Sequence, residues 1–397
     1  MSSVAYLDSF YGFGTFSFEL VPGYDCPQYA TFLNTSFYSR QTTHTHPNSI
    51  CLFEFDTDHA MQRHSTGDFV SISKNTQFTV RSVATVGNYD YTFSYTFSLD
   101  GTISVDVRAS GYIEAAHASH NEEYGFNIHD SLNGAMHDHV LNFKADFDVL
   151  GRDNSIQLVS NVPVSKTYPW SNGKVRNTMA LKRRFLDNET SGTLDWDANS
   201  ATQILVVNKD AKNRLGEYRA WRVQPSTPPV HLTVLNSSSL GSSARWAEHD
   251  VHITRQKDTE PRSADPYNNQ DVHDPPVDFS RFLDGESLDQ KDLVLWLNLG
   301  MHHVPTTADL PNTVMTTAHA GVKFVPANYF DGDQSRRSMS QVRISYADGK
   351  VLDVDTAGRP EQLCLSDLWS YQGDVLVRKF PYAPDAPYYE RSGPPYS

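Results

Sequence analysis

The stretch YTFSYTFSLDGTISVDVRAS, residues 91–110, decides the class of fold. Apolar and polar residues alternate on both sides of Asp100 and Gly101, and this period of two is that of a strand with one buried face. Asp-Gly between two such runs is a typical signal of a tight turn. We therefore predict a β-hairpin whose turn lies at Asp100-Gly101.

The same alternation recurs along most of the chain. Runs rich in β-branched and aromatic residues, each predicted to form a strand, are FVSISKN, QFTVRSVATV, VLNFKADFDVL, SIQLVSNV, QILVVN and VRISYA. A second pair, Asp348-Gly349, predicts another hairpin, whereas long helical periodicity is nearly absent. Polar, proline-rich sequence at 255–280 and 381–397 predicts a long surface loop and a tail. The predicted fold class is all-β, a large antiparallel β-sandwich.

Composition and charge limit the classes of function. Of 397 residues, 39% are hydrophobic, which is enough for a sizeable core. The formal net charge of -14 repels phosphate backbones, so we expect no nucleic-acid partner, and it attracts cations, including protonated amines. The most apolar run, LVLWLNLGM, is much shorter than the ~20 residues of a spanning helix, so we expect no membrane segment. The start MSSVAYLDSFYGFG has no signal-peptide pattern and the end GPPYS is not a peroxisomal address.

Cysteine is scarce, and the three residues allow two interpretations. Cys26, Cys51 and Cys364 could all be buried thiols. Alternatively, Cys26 and Cys51 form one bridge and Cys364 is free. Neither interpretation assigns a compartment, although a bridge would favour an extracellular one.

Two His-x-His patterns are candidate metal sites. His137 and His139 precede strand-like sequence, and residues two apart on a strand project from the same face. His44 and His46 are followed by a predicted proline turn, so they are a poorer candidate for a metal site than His137 and His139. Because chance alone gives about one such pattern in a chain with this many histidines, the pattern is weak by itself.

A third imidazole is available at the end of the apolar strand LVLWLNLGM. His302 and His303 follow it directly, in MHHVPTTADLP. Three imidazoles with one open coordination position would suit copper or zinc.

TVGNYDY, residues 85–91, is much less common by chance than His-x-His. Packing in a strand would explain two tyrosines, and the alternative is that one of them is chemically modified. The run Thr85-x-x-Asn88-Tyr89-Asp90-Tyr91 resembles the signature of the copper amine oxidases. The resemblance implies that Tyr89 is converted to topaquinone, and that Asn88 positions the quinone ring.

Other segments resemble motifs of this family in the same order along the chain. YLDSFYGFGTF resembles the stretch around the catalytic aspartate, which makes Asp8 the proton acceptor. MHDHV resembles the copper-binding pair, His137 and His139, and HHVPTTADLPNT resembles the segment with the third copper ligand, His303.

The resemblance also bears on cross-links and calcium. GYDCP and SICLFEF resemble the family's disulfide partners, Cys26 and Cys51. Oxygen ligands of the kind that Ca²⁺ prefers form two candidate sites. The residues of the first are Asp146, Phe147, Asp148, Asp292 and Leu293, with Phe147 and Leu293 contributing carbonyls. The residues of the second are Glu189, Phe282, Asp284 and Glu286. The alternative for these acids is a solvated polar face.

The implied reaction converts a primary amine, O₂ and water to an aldehyde, ammonia and hydrogen peroxide. Copper beside Tyr89 lets O₂ oxidise the ring, and the quinone forms a Schiff base with the substrate. Asp8 then removes the α-proton, with a pKa raised by an apolar pocket. The resemblance implies a homodimer.

In terms of domains, the resemblance assigns residues 1–397 to the catalytic domain. Family members carry one or two smaller N-terminal domains and a further strand of the catalytic domain. A tyrosine on that strand hydrogen-bonds the quinone, and no residue here matches it, since Tyr6 is too close to Asp8. We therefore expect a truncated start. One alternative is an inactive remnant that binds metal or protein partners without turnover. Another, a secreted carbohydrate-binding β-sandwich, leaves TVGNYDY unexplained.

Overall fold

The computed structural model describes residues 12–228, 244–334 and 340–357. Secondary structure in these ranges consists of β-strands and short 3₁₀ turns. The strands are β1 (Thr31–Ser39), β2 (Thr42–Asp56), β3 (Gln62–Ser65), β4 (Phe69–Ser73), β5 (Thr76–Val86), β6 (Tyr89–Ser98), β7 (Ile103–Gly111), β8 (Ala115–His117), β9 (Gly125–His129), β10 (Leu132–Ala135), β11 (His137–Asp146), β12 (Ser155–Thr167), β13 (Val175–Phe185), β14 (Thr193–Leu194), β15 (Thr202–Lys212), β16 (Tyr218–Pro225), β17 (Val251–Arg255), β18 (Leu293–His303), β19 (His319–Ala327), β20 (Gln341–Ala347) and β21 (Lys350–Ala357). The 3₁₀ turns are Phe13–Phe16, Glu122–Tyr124, Pro169–Ser171, Glu189–Gly192, Arg245–Ala247, Asn268–Gln270, Phe279–Phe282 and Thr307–Asp309.

One large sheet forms the first layer of the fold. Its strand order is β1-β2-β5-β6-β7-β19-β16-β15-β12-β13, and every neighbouring pair is antiparallel. The hairpin predicted at Asp100-Gly101 joins β6 to β7, and Gly101 has a φ of 88° in its turn. Short connections explain the antiparallel pairing of consecutive strands such as β5, β6 and β7, whereas β19 reaches β7 and β16 from far along the chain.

A four-stranded sheet, in the order β11-β18-β17-β14, forms the second layer. Strand β18 is buried along almost its whole length, as its continuous apolar sequence requires. Its side chains share one hydrophobic core with buried residues of β7, β15, β16 and β19 in the large sheet. The prediction of a large antiparallel β-sandwich is confirmed.

The chain divides into two compact units, residues 1–63 with 73–337 and residues 64–72 with 338–397. The first unit contains the sandwich and a small sheet in the order β8-β10-β9. In the second unit, β20 pairs with β21 through a two-residue turn. Asp348 and Gly349 have φ values of 49° and 72° there, as the Asp-Gly signal predicts.

One prediction of irregular structure is wrong. His44, His46 and Pro47 lie inside β2 and not in a turn. The pairing register shifts opposite Leu33–Thr35, and this irregularity accommodates a residue without an N–H group. The segment 255–280 is a long loop as predicted, apart from the end of β17, the 3₁₀ turn Asn268–Gln270 and the start of another turn, while 381–397 lies outside the described residues.

The disulfide between Cys26 and Cys51 is present, and both residues are buried beside Leu20 and Phe53. Cys364 lies outside the described residues. No helix in the described part of the chain is long and apolar enough to cross a membrane.

Candidate active site

Tyr89 is placed by the turn between β5 and β6. Val86 pairs with Tyr89, so Gly87 and Asn88 form a two-residue loop. Gly87 has a φ of 59°, which its missing Cβ allows at low cost. The Tyr89 side chain is 4% exposed and lies between the two sheets.

Gly111 allows the neighbouring strand to approach this turn closely. It pairs with Tyr89, and a Cβ at Gly111 would lie 2.1 Å from the Asn88 carbonyl oxygen and 2.8 Å from the Tyr89 Cα. A side chain here would displace Tyr89, so glycine is required by close contact as well as by its φ of 149°.

Three histidines from the second sheet face Tyr89. His137 and His139 start β11 and project from the same face, and His303 at the end of β18 is the register partner of His137. The His303 ring centroid is 4.8 Å from that of His137 and 6.2 Å from that of His139. Nitrogen atoms of the three rings lie within 4.8 Å of one another, so the rings could hold a metal ion.

Hydrogen bonds on the outer side of two rings fix which nitrogen faces inward. His137 Nδ1 donates to the Ala135 carbonyl over 2.8 Å, and His303 Nε2 donates to Asp309 Oδ1 over 2.9 Å. In neutral imidazoles these donors leave His137 Nε2 and His303 Nδ1 as lone-pair acceptors. A ring anchored by a carbonyl or carboxylate in this way is the usual arrangement of a metal-binding histidine.

His139 gives the strongest indication of a metal-binding site. Its Nδ1 lies 2.8 Å from the Tyr91 hydroxyl. Its Nε2 is buried and has no hydrogen-bond partner among the described residues. An unpartnered buried nitrogen is costly, and a metal ion at this position would satisfy it. The donor set therefore fits a three-histidine metal site.

The Tyr89 hydroxyl lies against the same inner nitrogens. Its oxygen is 3.1 Å from His137 Nε2 and 3.1 Å from His303 Nδ1. The ring also packs edge-on against His139, with 4.6 Å between centroids. One tyrosine is thus in direct contact with all three imidazoles.

Burial favours the uncharged forms of the His139 and Tyr89 side chains. Burial, together with His137 and His303, lowers the pKa of His139 to about 3. Burial raises the pKa of the Tyr89 phenol to about 12. Burial also opposes ionisation of Asp309, but hydrogen bonds from the Thr306 amide and from His303 outweigh it and lower that pKa. Since burial also lowers the pKa of His137, the neutral imidazoles of His137 and His139 can bind a cation without first losing protons.

Two other sequence candidates, His302 and Asn88, are exposed and do not lie among the three imidazoles. His302 is exposed and pairs with Asp138, on the opposite face of the sheet from His303. Asn88 is exposed, and its Nδ2 donates to Glu114 Oε1 over 3.3 Å. Asp8 lies outside the described residues.

Two acidic clusters correspond to the predicted calcium sites. Carboxylate oxygens of Asp146, Asp148 and Asp292 lie within 4.8 Å of one another. Burial raises the pKa of Asp146, and repulsion from Asp292 and Asp148 adds to the effect. The Phe147 carbonyl accepts a 3.3 Å hydrogen bond from Asn154 and keeps one lone pair for another partner.

The second cluster is close-packed with its own cationic side chains. Oxygens of Glu189, Asp284 and Glu286 lie within 4.8 Å of one another. Lys257 contacts Asp284 and Glu286, and Arg255 contacts Glu286. Sequence reasoning did not foresee either cation at this place.

Sequence reasoning also missed three residues of the active site. Tyr91 was quoted within TVGNYDY, but its contact with His139 depends on how the two sheets face each other. Asp309 follows His303 by six residues within the quoted HHVPTTADLPNT, and spacing alone does not show that the chain turns back. Gly111 ends a strand, where a glycine is a weak signal of close backbone approach.

Comparison with known proteins places the chain in a family. The family model described as copper amine oxidase, enzyme domain, matches residues 1–345. The chain belongs to the copper amine oxidase family. The copper amine oxidase vicK1 of Bipolaris victoriae (strain FI3) is 52% identical over 346 residues, which cover 86% of this chain and 49% of that protein.

Solved copper amine oxidase structures share the fold. The crystal structure of Aspergillus nidulans amine oxidase matches with a TM-score of 0.88 and 60% identity over 98% of this chain and 53% of that chain. Pichia pastoris lysyl oxidase matches with a TM-score of 0.84 and 39% identity over 89% of this chain and 48% of that chain. The chain spans about half the length of these relatives.

Proposed function

We propose that residues 1–397 are the catalytic domain of a primary amine oxidase that depends on copper and on topaquinone derived from Tyr89. The reaction consumes a primary amine, O₂ and water and yields an aldehyde, ammonia and hydrogen peroxide. The contact of the Tyr89 hydroxyl with the inner nitrogens of His137 and His303 carries this proposal. A structural tyrosine would not need a place against the candidate metal-binding atoms.

The residues around Tyr89 have distinct parts in this proposal. His137 Nε2, His139 Nε2 and His303 Nδ1 hold copper. When bound, copper would supply redox chemistry with O₂, and the quinone would supply a carbonyl electrophilic enough for an amine. The burial of Tyr89 excludes water from the reacting ring, and the Asn88 turn fixes the point at which that ring enters the site.

Asp8 is proposed as the proton acceptor. Phe13 packs edge-on against the rings of Tyr91 and Phe93, at centroid distances of 5.7 and 5.6 Å. Asp8 stands five positions before Phe13 in the chain and lies outside the described residues. Its assignment rests on the resemblance of YLDSFYGFGTF to the family's stretch around its catalytic aspartate.

A calcium ion at the first acidic cluster is part of the proposal. Asp146, Asp148 and Asp292 converge from the end of β11 and the start of β18, and their mutual repulsion favours a bound cation. We expect Asp292→Asn to remove one calcium ion per chain in elemental analysis, and an unchanged calcium content would contradict this site.

The experiment that tests the proposed function measures hydrogen peroxide released from benzylamine by the full chain loaded with copper in air. Wild type and Tyr95→Phe are expected to release peroxide, and Tyr89→Phe is expected to bind copper and release none. Asp8→Asn should keep a chromophore that reacts with phenylhydrazine while losing turnover. Peroxide release by Tyr89→Phe, or normal turnover by Asp8→Asn, would contradict the assigned roles.

A further inference from the structure

The second acidic cluster already contains a positive charge. The Lys257 ammonium lies 2.9 Å from Asp284 Oδ2, 2.7 Å from Glu286 Oε2 and 3.6 Å from Glu260 Oε1. Its side chain is only 27% exposed. The lysine therefore lies among the acids, in the position that a bound cation would take.

The third acid of the cluster, Glu189, accepts hydrogen bonds from backbone amides. Glu189 is fully buried, and its Oε1 accepts the Arg255 amide over 3.0 Å. Its Oε2 accepts the amides of Gly285 and Glu286, over 3.1 and 3.2 Å. Three backbone donors stabilise this carboxylate without any metal ion.

Two of the remaining carboxylate oxygens accept hydrogen bonds, and a third contacts only the lysine. Asp284 Oδ1 accepts the Glu286 amide over 3.2 Å, and Glu286 Oε1 accepts Arg255 over 2.8 Å. Glu286 Oε2 forms no hydrogen bond within the described residues, but the Lys257 ammonium lies 2.7 Å from it. Calcium requires six to eight oxygen ligands at about 2.3–2.6 Å. Here the oxygens of the cluster are directed at N–H groups, so the arrangement does not fit a calcium ion.

We propose that Lys257 is the resident cation of this cluster, and that the chain binds no calcium there. The ammonium ties the sequence after β17 to the loop at Asp284–Glu286. That loop leads into β18, which ends at His303. A lysine in place of a metal ion makes this link independent of the calcium concentration.

The first acidic cluster provides the contrast. Within the described residues, no lysine or arginine forms an ion pair with Asp146, Asp148 or Asp292. Lys257 is thus a specific feature of one cluster.

Calcium content tests the absence of metal at the cluster. Wild type and Glu286→Gln are dialysed against calcium, washed free of unbound ion and measured by elemental analysis. The two proteins are expected to contain the same number of calcium ions per chain. A calcium ion that wild type holds and Glu286→Gln loses would overturn the proposal. This comparison stands even if a Lys257 variant does not fold, and it does not depend on amine oxidation.

Thermal unfolding tests whether the Lys257 charge stabilises the fold. Lys257→Met removes the charge, and the matched control is Lys209→Met, because Lys209 pairs with Asp289 at a similar exposure of 25%. In a chelator, Lys257→Met is expected to unfold about 5 °C below wild type, since it leaves converging carboxylates uncompensated. Lys209→Met is expected to unfold within about 1 °C of wild type, because Lys209 pairs with one half-exposed carboxylate and not with three converging ones. Equal midpoints for the two variants would overturn the proposal.

Discussion

The hydroxyl of Tyr91 orients His139 for metal binding. It is the partner of His139 Nδ1, while His139 Nε2 has no hydrogen bond. Tyr91→Phe is expected to weaken copper binding roughly ten- to hundred-fold, because outer partners of metal ligands have effects of this size. Copper affinity measured by competition with a chelator checks this. The control is Tyr95→Phe, which removes a hydroxyl two positions beyond Phe93 on the same strand, and equal affinities in the two variants would count against the role of Tyr91.

Burial of the His252 imidazole makes the free energy of unfolding depend on pH. Burial lowers its pKa to about 4 from an ordinary value of 6.5, and its Nε2 has no hydrogen-bond partner in the part of the chain that the structure describes. Below pH 6.5 the unfolded chain gains a proton that the folded chain rejects until pH 4, so the free energy of unfolding falls with falling pH.

We expect the free energy of unfolding to fall by about 2 kcal/mol between pH 6.5 and 5 because of His252. Urea unfolding at pH 7 and pH 5 should show a smaller acid-dependent loss in His252→Leu than in wild type. His64→Gln, at an exposed position, should behave like wild type. If His252→Leu lost as much stability as wild type on acidification, burial of a neutral His252 would not be the cause.

At the scale of strands, pairing register brings the site together. β11 and β18 place His137 opposite His303, and β6 and β7 place Tyr89 opposite Gly111. A Cβ at Gly111 would overlap the Asn88 carbonyl, whereas one at Gly87 meets nothing within 4 Å.

Gly111→Ala is therefore expected to destabilise the protein by more than about 2 kcal/mol and to abolish copper-dependent colour. Gly87→Ala, with only an unfavourable φ, should cost about 1 kcal/mol and keep the colour. Chemical denaturation and visible spectra check both variants. A Gly111→Ala protein as stable as Gly87→Ala would show that the strands adjust to the added methyl group.

Sequence reasoning predicted the elements with a local signal. The Asp-Gly hairpins, the sandwich and the paired histidines of HDH all follow from period-two alternation and turn residues. Pro47 inside β2 was missed because a local register shift, absent from any sequence pattern, removes the need for its N–H. The contacts of Tyr91 and Lys257 were missed because each joins segments far apart in the chain.

At the scale of the whole molecule, the β12–β13 hairpin is where we expect the interface of the homodimer that the family resemblance implies. Its outer half carries Trp170, Val175, Met179 and Leu181, which are 68%, 65%, 64% and 53% exposed. Apolar side chains this exposed favour contact with another protein surface. Met179→Asp with Leu181→Asp is expected to convert a dimer into a monomer in light scattering, while Lys182→Asp, on the same strand, should remain dimeric. A dimer that survives the double substitution would place the interface elsewhere.

The visible spectrum of the purified full chain tests the central claim most directly. The protein is expressed without copper, given Cu²⁺ in air, and then treated with phenylhydrazine, with Tyr89→Phe as the control. A quinone band that grows with time in wild type and shifts with the hydrazine, and that is absent in Tyr89→Phe, is the predicted result. A folded, copper-loaded wild type that stays colourless would contradict the claim that Tyr89 and the three histidines form an amine oxidase site.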